Sequence, residues 1–291
     1  MAAMSDKTVV VTGATSGIGK ATATDLARRG ADVVMICRNE SKAKSTQDEI
    51  TRQVPGSEIS YVLADMANLE QVREAAAEIN RVNDRVDVLV NNAGVHMFDR
   101  EYSDDGYEMT IAVNHLAPFL LTNLLLDKLT SSAPARVVTV ASEAHRFGHR
   151  IDFDDLMSEK RNAGFVWSFK TYGRSKLMNR LFAEELARRH DPEVLTSNSL
   201  CPGLVATNLT GESPLARRIV ETGLKLRIAN SPENGARMSV RLATDPGLAG
   251  VTGQFFSSAP GTSVLRAMPT HLGAADAARL WDVSAELVGL A

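Results

Sequence analysis

The sequence contains few cysteines, no excess of positive charge and no long apolar run, and each shortage excludes a class of protein. The two cysteines, Cys37 and Cys201, have no CxxC spacing and no Cys/His neighbours, so we expect buried thiols in a reducing compartment and no metal site. The formal net charge is −3 and the basic residues are scattered, which argues against a nucleic-acid partner. The longest apolar stretch, residues 119–129, is interrupted by polar side chains and is too short to span a membrane.

The amino terminus leads directly into an apolar stretch at Thr8, which leaves no room for the apolar core of a secretory signal. We therefore expect a cytoplasmic protein without a membrane span. With 291 residues and 44% hydrophobic content, the chain can build the core of one large α/β domain.

Short apolar runs alternate with amphipathic stretches along most of the chain. Strands are predicted at residues 8–12, 32–36, 59–63, 86–90, 136–141, 195–201 and near 253–256. Helices are predicted at 17–29, 41–53, 69–80, 109–129, 172–189 and about 233–243. This order predicts an α/β fold with a parallel sheet and helices on both faces. Because no linker or repeat divides the chain, we predict a single domain over residues 1–291.

Two segments, 148–167 and 204–230, do not follow this alternation. Long irregular insertions in compact domains are often binding loops, so we expect both segments to determine the substrate specificity. The second carries apolar residues among arginines, and it forms either an apolar lid or an amphipathic surface helix.

A glycine-rich turn follows the first predicted strand and leads into a helix. Gly13 suits a sharp turn, Gly17 permits close approach of a pyrophosphate, and Gly19 permits close helix–sheet packing. The spacing is G-x-x-x-G-x-G, and the alternative is an ordinary glycine turn.

The end of the second predicted strand bears on the choice of cofactor. An enzyme that uses NAD usually has an acidic residue there, but Cys37 occupies that position and Arg38 follows it. An arginine can bind a 2′-phosphate, so we expect NADP(H) in preference to NAD(H). The alternative is a solvated arginine at a strand end.

Tyr172 and Lys176 are four residues apart on a predicted helix and therefore share one face. An ammonium beside a phenol stabilises the phenolate, so we expect Lys176 to lower the pKa of Tyr172. Such a pair is also common on protein surfaces.

Three further polar positions lie near the expected binding edge of the sheet. Ser142 follows a predicted strand, where it can hydrogen-bond a carbonyl oxygen or simply cap a turn. Residues 91–94, Asn-Asn-Ala-Gly, follow another strand. Asn114 lies within a predicted helix, where a local kink or a buried hydrogen bond would explain it.

Together, residues 12–19, 91–94, Asn114, Ser142, the Tyr172-x-x-x-Lys176 pair and Pro202-Gly203 resemble the classical short-chain dehydrogenase/reductase family. The resemblance implies an oxidoreductase on a single doubly wound Rossmann-type domain, with about seven strands in the order 3-2-1-4-5-6-7. Within the family, residues 37–39, 113–116, 121–126 and 151–156 resemble the retinol dehydrogenase and WW-domain oxidoreductase branch.

The resemblance also implies roles for individual residues. Tyr172 would be the general acid or base, Lys176 would hold the nicotinamide ribose, Ser142 would orient the substrate oxygen, and Asn114 would anchor a relay water. The residues implied to bind the cofactor are Gly13, Thr15, Ser16, Gly17, Ile18, Gly19, Arg38, Asp65, Met66, Asn92, Ala93, Gly94, Tyr172, Lys176, Pro202, Val205 and Thr207.

For this branch, the resemblance implies NADP(H), a small lipophilic alcohol or carbonyl substrate of retinoid, steroid or long-chain aldehyde type, and a homodimer or homotetramer built on the two long helices. Two features depart from it: Ala141-Ser142-Glu143 replaces paired serines, and the amino-terminal membrane segment is absent. The competing hypothesis is a non-catalytic NADP(H)-binding sensor. We expect His96, His115 and His145 to serve packing or hydrogen bonding.

Overall fold

The computed structural model describes residues 4–148, 150–160, 162–203, 205, 230–258 and 273–291. Seven strands form one parallel sheet in the order β3-β2-β1-β4-β5-β6-β7. The strands are β1 Thr8–Thr12, β2 Asp32–Cys37, β3 Ile59–Leu63, β4 Val88–Asn91, β5 Ala135–Val140, β6 Leu195–Cys201 and β7 Phe255–Ser257. The predicted fold class and strand order are therefore confirmed.

Helices cover both faces of the sheet. They are α1 Gly17–Arg28, α2 Glu40–Gln53, α3 Leu69–Val82, α4 Met109–Ile111, α5 Ala117–Leu124, α6 Leu126–Ser131, α7 Phe165–Arg189, α8 Pro232–Thr244 and α9 Ala274–Leu287. A π-helical turn, Ala112–Leu116, joins α4 to α5, and 3₁₀ turns lie at Glu143–Gly148, Phe153–Asp155 and Pro246–Leu248. None of the helices in the described ranges is long and apolar enough to cross a membrane.

The alternation of side chains along β1 divides the core into two layers. Val10 packs into one layer, and Val9 and Val11 pack into the other, because successive residues of a strand point to opposite faces. The first layer contains apolar residues of α3, α5, α7 and α9, and the second contains those of α1, α2 and α8. A parallel sheet covered on both faces explains why its strands are continuous apolar runs.

Two helical predictions differ from the structure. The single helix predicted over 109–129 is divided by the π turn at Ala112–Leu116 and again at Leu125. The helix predicted to start at Tyr172 begins at Phe165, because Trp167, Ser168 and Thr171 are buried on its first turns. The end of the 148–167 segment is therefore helical.

The second segment of interest, 204–230, falls mostly outside the described residues. Val205 and Asn230 lie within them and form an isolated parallel bridge. Thr207, which the resemblance assigns to the cofactor, lies outside the described residues.

Candidate active site

The carboxyl ends of the parallel strands bring the predicted residues to one edge of the sheet. Residues 92–94 follow β4, Ser142 follows β5, and Pro202 follows β6, while Tyr172 and Lys176 approach from α7. This edge is where open α/β sheets bind ligands.

The glycine turn between β1 and α1 has the geometry expected of a phosphate cradle. Gly13 and Gly17 have φ values of 65° and 52°, a left-handed conformation that glycine adopts without strain. A Cβ at Gly19 would overlap the Gly13 carbonyl oxygen, so α1 packs there as closely as glycine allows. The Ser16 side chain makes no capping hydrogen bond at the start of α1, and the first amides of a helix suit the binding of an anion.

Thr12 joins this turn to the next strand. Its buried Oγ1 accepts hydrogen bonds from the backbone N–H groups of Asn92 and Ala93, both at 2.9 Å. In return, Asn92 Nδ2 donates to the Thr12 carbonyl at 2.8 Å. This role for Thr12 was not predicted, although a hydroxyl at the end of a buried strand beside a polar turn was an available signal in the sequence.

Asn114 lies on the π turn and makes three hydrogen bonds from a fully buried position. Its Oδ1 accepts from Val95 N at 2.7 Å, and its Nδ2 donates to the Val95 carbonyl and to Ser175 Oγ, both at 2.9 Å. Ser175 Oγ in turn donates to the Tyr172 carbonyl at 2.8 Å. Both the kink and the buried hydrogen bond considered for Asn114 are thus present. The role of Ser175, a serine on the buried face of α7, was not predicted.

Tyr172 and Ser142 share a hydrogen bond beside the end of β5. Burial raises the pKa of the Tyr172 phenol above its ordinary value, and the hydrogen bond with Ser142 opposes that shift only in part. Cys201, a buried thiol at the end of β6, also interacts electrostatically with Tyr172.

Lys176 is also buried, and its Nζ donates to the Val140 carbonyl at 3.0 Å. Nζ lies 5.6 Å from the centroid of the Tyr172 ring. Burial lowers the pKa of Lys176 to about 8. The pKa of Tyr172 is therefore raised, and not lowered as expected from Lys176, because desolvation of the phenol is the largest cause of its shift.

Two facing glycines place the Ser142 turn against α7. A Cβ at Gly173 would lie 2.6 Å from the Ala144 carbonyl oxygen, and one at Gly148 would lie 2.8 Å from the Gly173 carbonyl oxygen. The 3₁₀ turn that follows Ser142 can therefore rest directly on the backbone next to Tyr172. This contact between the two glycines was not predicted from the sequence.

All three histidines have hydrogen-bond partners, and the partner of His96 is the Ser168 backbone. His145 Nδ1 lies 2.7 Å from the Ser142 carbonyl oxygen, which fixes the backbone at Ser142. His115 Nε2 lies 2.8 Å from Ser284 Oγ of α9, away from the reacting groups. Hydrogen bonding therefore accounts for both, as expected.

Three of the predicted cofactor residues, Arg38, Asp65 and Met66, lie at the ends of strands next to the glycine turn. Arg38 is exposed after β2, and its side chain makes no hydrogen bond or ion pair with a described residue. Cys37 before it is buried, and burial raises the pKa of its thiol to about 12. After β3, Asp65 Oδ1 accepts from Ala67 N at 2.9 Å, and Met66 is buried.

Thr15, Ile18 and Val205 also lie at this edge. Thr15 is half-buried in the glycine turn. A Cβ at Gly235 of α8 would lie within 3.2 Å of side-chain atoms of both Val205 and Ile18, so these two side chains flank one point. Together with the cradle and the exposed Arg38, this arrangement fits a nicotinamide dinucleotide. Among the described residues, no group of histidine, cysteine or carboxylate side chains could hold a metal ion.

Comparisons with known proteins agree with this geometry. Residues 7–150 match the family model described as short chain dehydrogenase. The chain is 40% identical to human retinol dehydrogenase 14, with 99% of this chain and 88% of that protein covered. It is 41% identical to human retinol dehydrogenase 13, with 98% and 85% covered.

Solved structures give the same picture. An uncharacterised protein from Mycobacterium paratuberculosis is 31% identical, with a TM-score of 0.72 and with 98% of this chain and 94% of that chain covered. A protein from Beutenbergia cavernae is 29% identical, with a TM-score of 0.71 and with 91% and 100% covered. The second protein is described as an NAD(P)-dependent gluconate 5-dehydrogenase, and its structure contains NADP at low occupancy.

Proposed function

Because the chain belongs to the short-chain dehydrogenase/reductase family, in its retinol dehydrogenase-like branch, we propose that it interconverts a lipophilic alcohol and its carbonyl with NADP(H) and uses Tyr172 as the general acid and base. That the chain is an oxidoreductase acting on CH–OH groups is confirmed by its family. The observation that carries the proposal is the buried Tyr172, whose hydroxyl is hydrogen-bonded to Ser142 and whose ring centroid lies 5.6 Å from Lys176 Nζ.

In the direction of reduction, the Tyr172 hydroxyl gives its proton to the substrate oxygen, and in oxidation the phenolate takes it back. Ser142 donates to the same oxygen and stabilises the charge that develops there. The nicotinamide, when bound, supplies or accepts the hydride. Burial of Tyr172 favours the protonated phenol, so this site is prepared for proton donation.

Lys176 and Asn114 support Tyr172 in different ways. The charge of Lys176, 5.6 Å from the phenol ring, favours the phenolate while the amine is protonated. Asn114 uses both protons of its amide nitrogen on Val95 and Ser175. We therefore propose that Asn114 binds a relay water only through Oδ1, which already accepts from Val95 N and has one lone pair left.

The preference for NADP(H) over NAD(H) rests on Arg38. Its exposed guanidinium has no described protein partner and stands at the end of β2, beside the glycine turn. A 2′-phosphate would give it a charge-assisted hydrogen bond, whereas the buried Cys37 offers no acceptor of the kind a ribose hydroxyl needs.

The lipophilic substrate is supported by two observations. Relatives with this degree of identity are named retinol dehydrogenases. Two large apolar side chains on α7 are exposed, Phe169 one turn before Tyr172 and Phe165 two turns before it. The cytoplasmic location and the homo-oligomer are proposals as well.

The proposed function is tested by measuring NADPH and NADH oxidation by the purified protein with a panel of lipophilic aldehydes and ketones. Fluorescence titration of each cofactor runs alongside. Turnover with NADPH in preference to NADH supports the proposal. Tight cofactor binding without turnover across the panel would favour the sensor hypothesis instead.

A further inference from the structure

The Tyr172 ring is one member of a stack of three rings. The His96 imidazole stacks on Tyr172 with a centroid separation of 4.6 Å and an interplanar angle of 21°. On its other contacts, His96 stacks on Phe98 at 4.9 Å and meets Phe169 edge-on at 4.9 Å. The catalytic phenol is therefore held in an aromatic cluster, which we define as His96, Phe98, Phe169 and Tyr172.

Both backbones that present the stacked pair are fixed by one hydrogen-bond network. Val95, next to His96, has its N–H and its carbonyl bound by the Asn114 side chain. The Tyr172 carbonyl accepts from Ser175, which is bound by the same asparagine. The two rings are thus presented at a set separation by groups that do not depend on either side chain.

The choice of histidine at this position needs an explanation beyond packing. His96 is only 6% exposed, and its Nε2 has no hydrogen-bond partner among the described residues. Burial lowers the pKa of His96, although the Ser168 backbone opposes the shift, so the ring is neutral near pH 7. A buried nitrogen without a partner costs stability, and a methionine or leucine would fill the space without that cost. What the imidazole offers in their place is a flat neutral ring that matches the face of the phenol, together with a hydrogen bond to the Ser168 backbone.

We propose that His96 is a positioning residue for Tyr172. Its ring covers one face of the phenol and holds the hydroxyl where it meets Ser142 and the substrate oxygen. His96 acts through Tyr172 and does not itself transfer the proton. The inference rests on the proposed role of Tyr172, and its first test is independent of turnover.

The first test uses nuclear magnetic resonance of the four tyrosines, labelled in their rings, in the full-length protein. Tyr172 is assigned by the loss of its signal in Tyr172→Phe. In the wild type we expect its ring protons to be shifted upfield by the stacked imidazole. In His96→Leu that shift should be lost, and in His96→Phe it should be kept. Unchanged Tyr172 signals in His96→Leu would overturn the proposal whether or not the protein turns over a substrate.

The second test measures kcat, KM and cofactor affinity on a substrate found in the panel. For His96→Leu we expect kcat to fall by about tenfold, because misorientation of a catalytic group acts on the chemical step, with cofactor affinity unchanged. His96→Phe should restore kcat to within about twofold of the wild type, since it keeps the flat ring. If His96→Leu does not fold, His96→Met is the substitute without a ring.

Phe119→Leu is the matched control. Phe119 of α5 is a buried ring that contacts Phe182 and Trp281 and lies outside the aromatic cluster. We expect it to lower thermal stability at least as much as His96→Leu while leaving kcat near the wild-type value. An equal loss of kcat in Phe119→Leu, or failure of His96→Phe to restore it, would show that general packing, not the stack on Tyr172, sets the rate.

Discussion

The two ends of the cleft are built in different ways. At the nucleotide end, which comprises residues 13–19 and Arg38, the shape comes from the glycine backbone and the donors are backbone amides at the start of α1. At the reacting end, which comprises Asn114, Ser142, Tyr172 and Lys176, every group is supported by side chains and carbonyls from elsewhere in the chain. The nucleotide end is therefore a local structure, and the reacting end exists only after folding.

The difference also appears in the electrostatics. Arg38 stands in solvent at a strand end, ready to meet a charged group. Tyr172 and Lys176 are buried. Burial raises the pKa of Tyr172 and lowers the pKa of Lys176, and both shifts favour the neutral side chain. Binding at one end relies on exposed charge, whereas chemistry at the other relies on protons held away from water.

The largest effect expected is at the reacting end. Tyr172→Phe removes the proton donor and little else, so we expect kcat to fall by about a thousandfold with the affinity for NADPH unchanged. Steady-state kinetics and cofactor titration check this. The control is Tyr61→Phe on β3, which is far from the reacting groups in the sheet order. Full activity of Tyr172→Phe would refute the assigned acid and base.

Lys176 should make stability depend on pH in the cofactor-free protein. Its pKa is about 8 when folded and 10.5 as a free side chain, so the unfolded chain binds more protons between these values. The free energy of unfolding contributed by Lys176 therefore rises from pH 8 to 10.5, by about 3 kcal/mol at most.

The measurement is urea unfolding at several pH values for the wild type and for Lys176→Met. Since other groups also titrate in this range, the informative quantity is the difference between the two proteins. We expect that difference to grow in favour of the wild type as the pH rises. A constant difference would show that Lys176 is not desolvated as the structure indicates.

Gly19→Ala tests the backbone shape of the nucleotide end. A Cβ there would overlap the Gly13 carbonyl oxygen and the Asn92 side chain. Relief of the first overlap requires the backbone at Gly13 to move, which costs stability. We expect a loss of about 2 kcal/mol of stability and weaker NADPH binding, measured by thermal unfolding and titration. Lys44→Ala is the control, because Lys44 is exposed on α2, and it should be nearly neutral.

Arg38→Ala tests the charge at the same end and has the smallest expected effect. We expect NADPH affinity to fall by about tenfold, because one exposed charge-assisted hydrogen bond is lost, with NADH affinity nearly unchanged. Arg52→Ala, an exposed arginine near the end of α2, should change neither. Equal losses for both cofactors would refute the phosphate contact.

Much of the fold and of the candidate site could be predicted from the order of residues. Apolar runs of strand length between amphipathic stretches indicated the sheet, and the motifs at strand ends indicated which side chains meet. Helix boundaries were less accurate: α7 begins at Phe165 because burial of Trp167 extends it, and the π turn arises from contacts of Asn114 with a distant loop. The predicted direction of the Tyr172 pKa shift was wrong. The spacing of Tyr172 and Lys176 shows that a charge is near the phenol, but it carries no information about the loss of water from the phenol on burial.

The sequence by itself determined the α/β architecture, the glycine cradle and the pairing of Tyr172 with Lys176, because periodicity and spacing are local properties of the chain. Only the tertiary structure decided that Asn114 hydrogen-bonds both Val95 and Ser175. The same holds for the close contact of Gly148 with Gly173 and for the stack of His96 on the Tyr172 ring. These contacts join residues far apart in the chain. Their existence depends on how strands and helices pack, and packing is decided by the whole molecule at once.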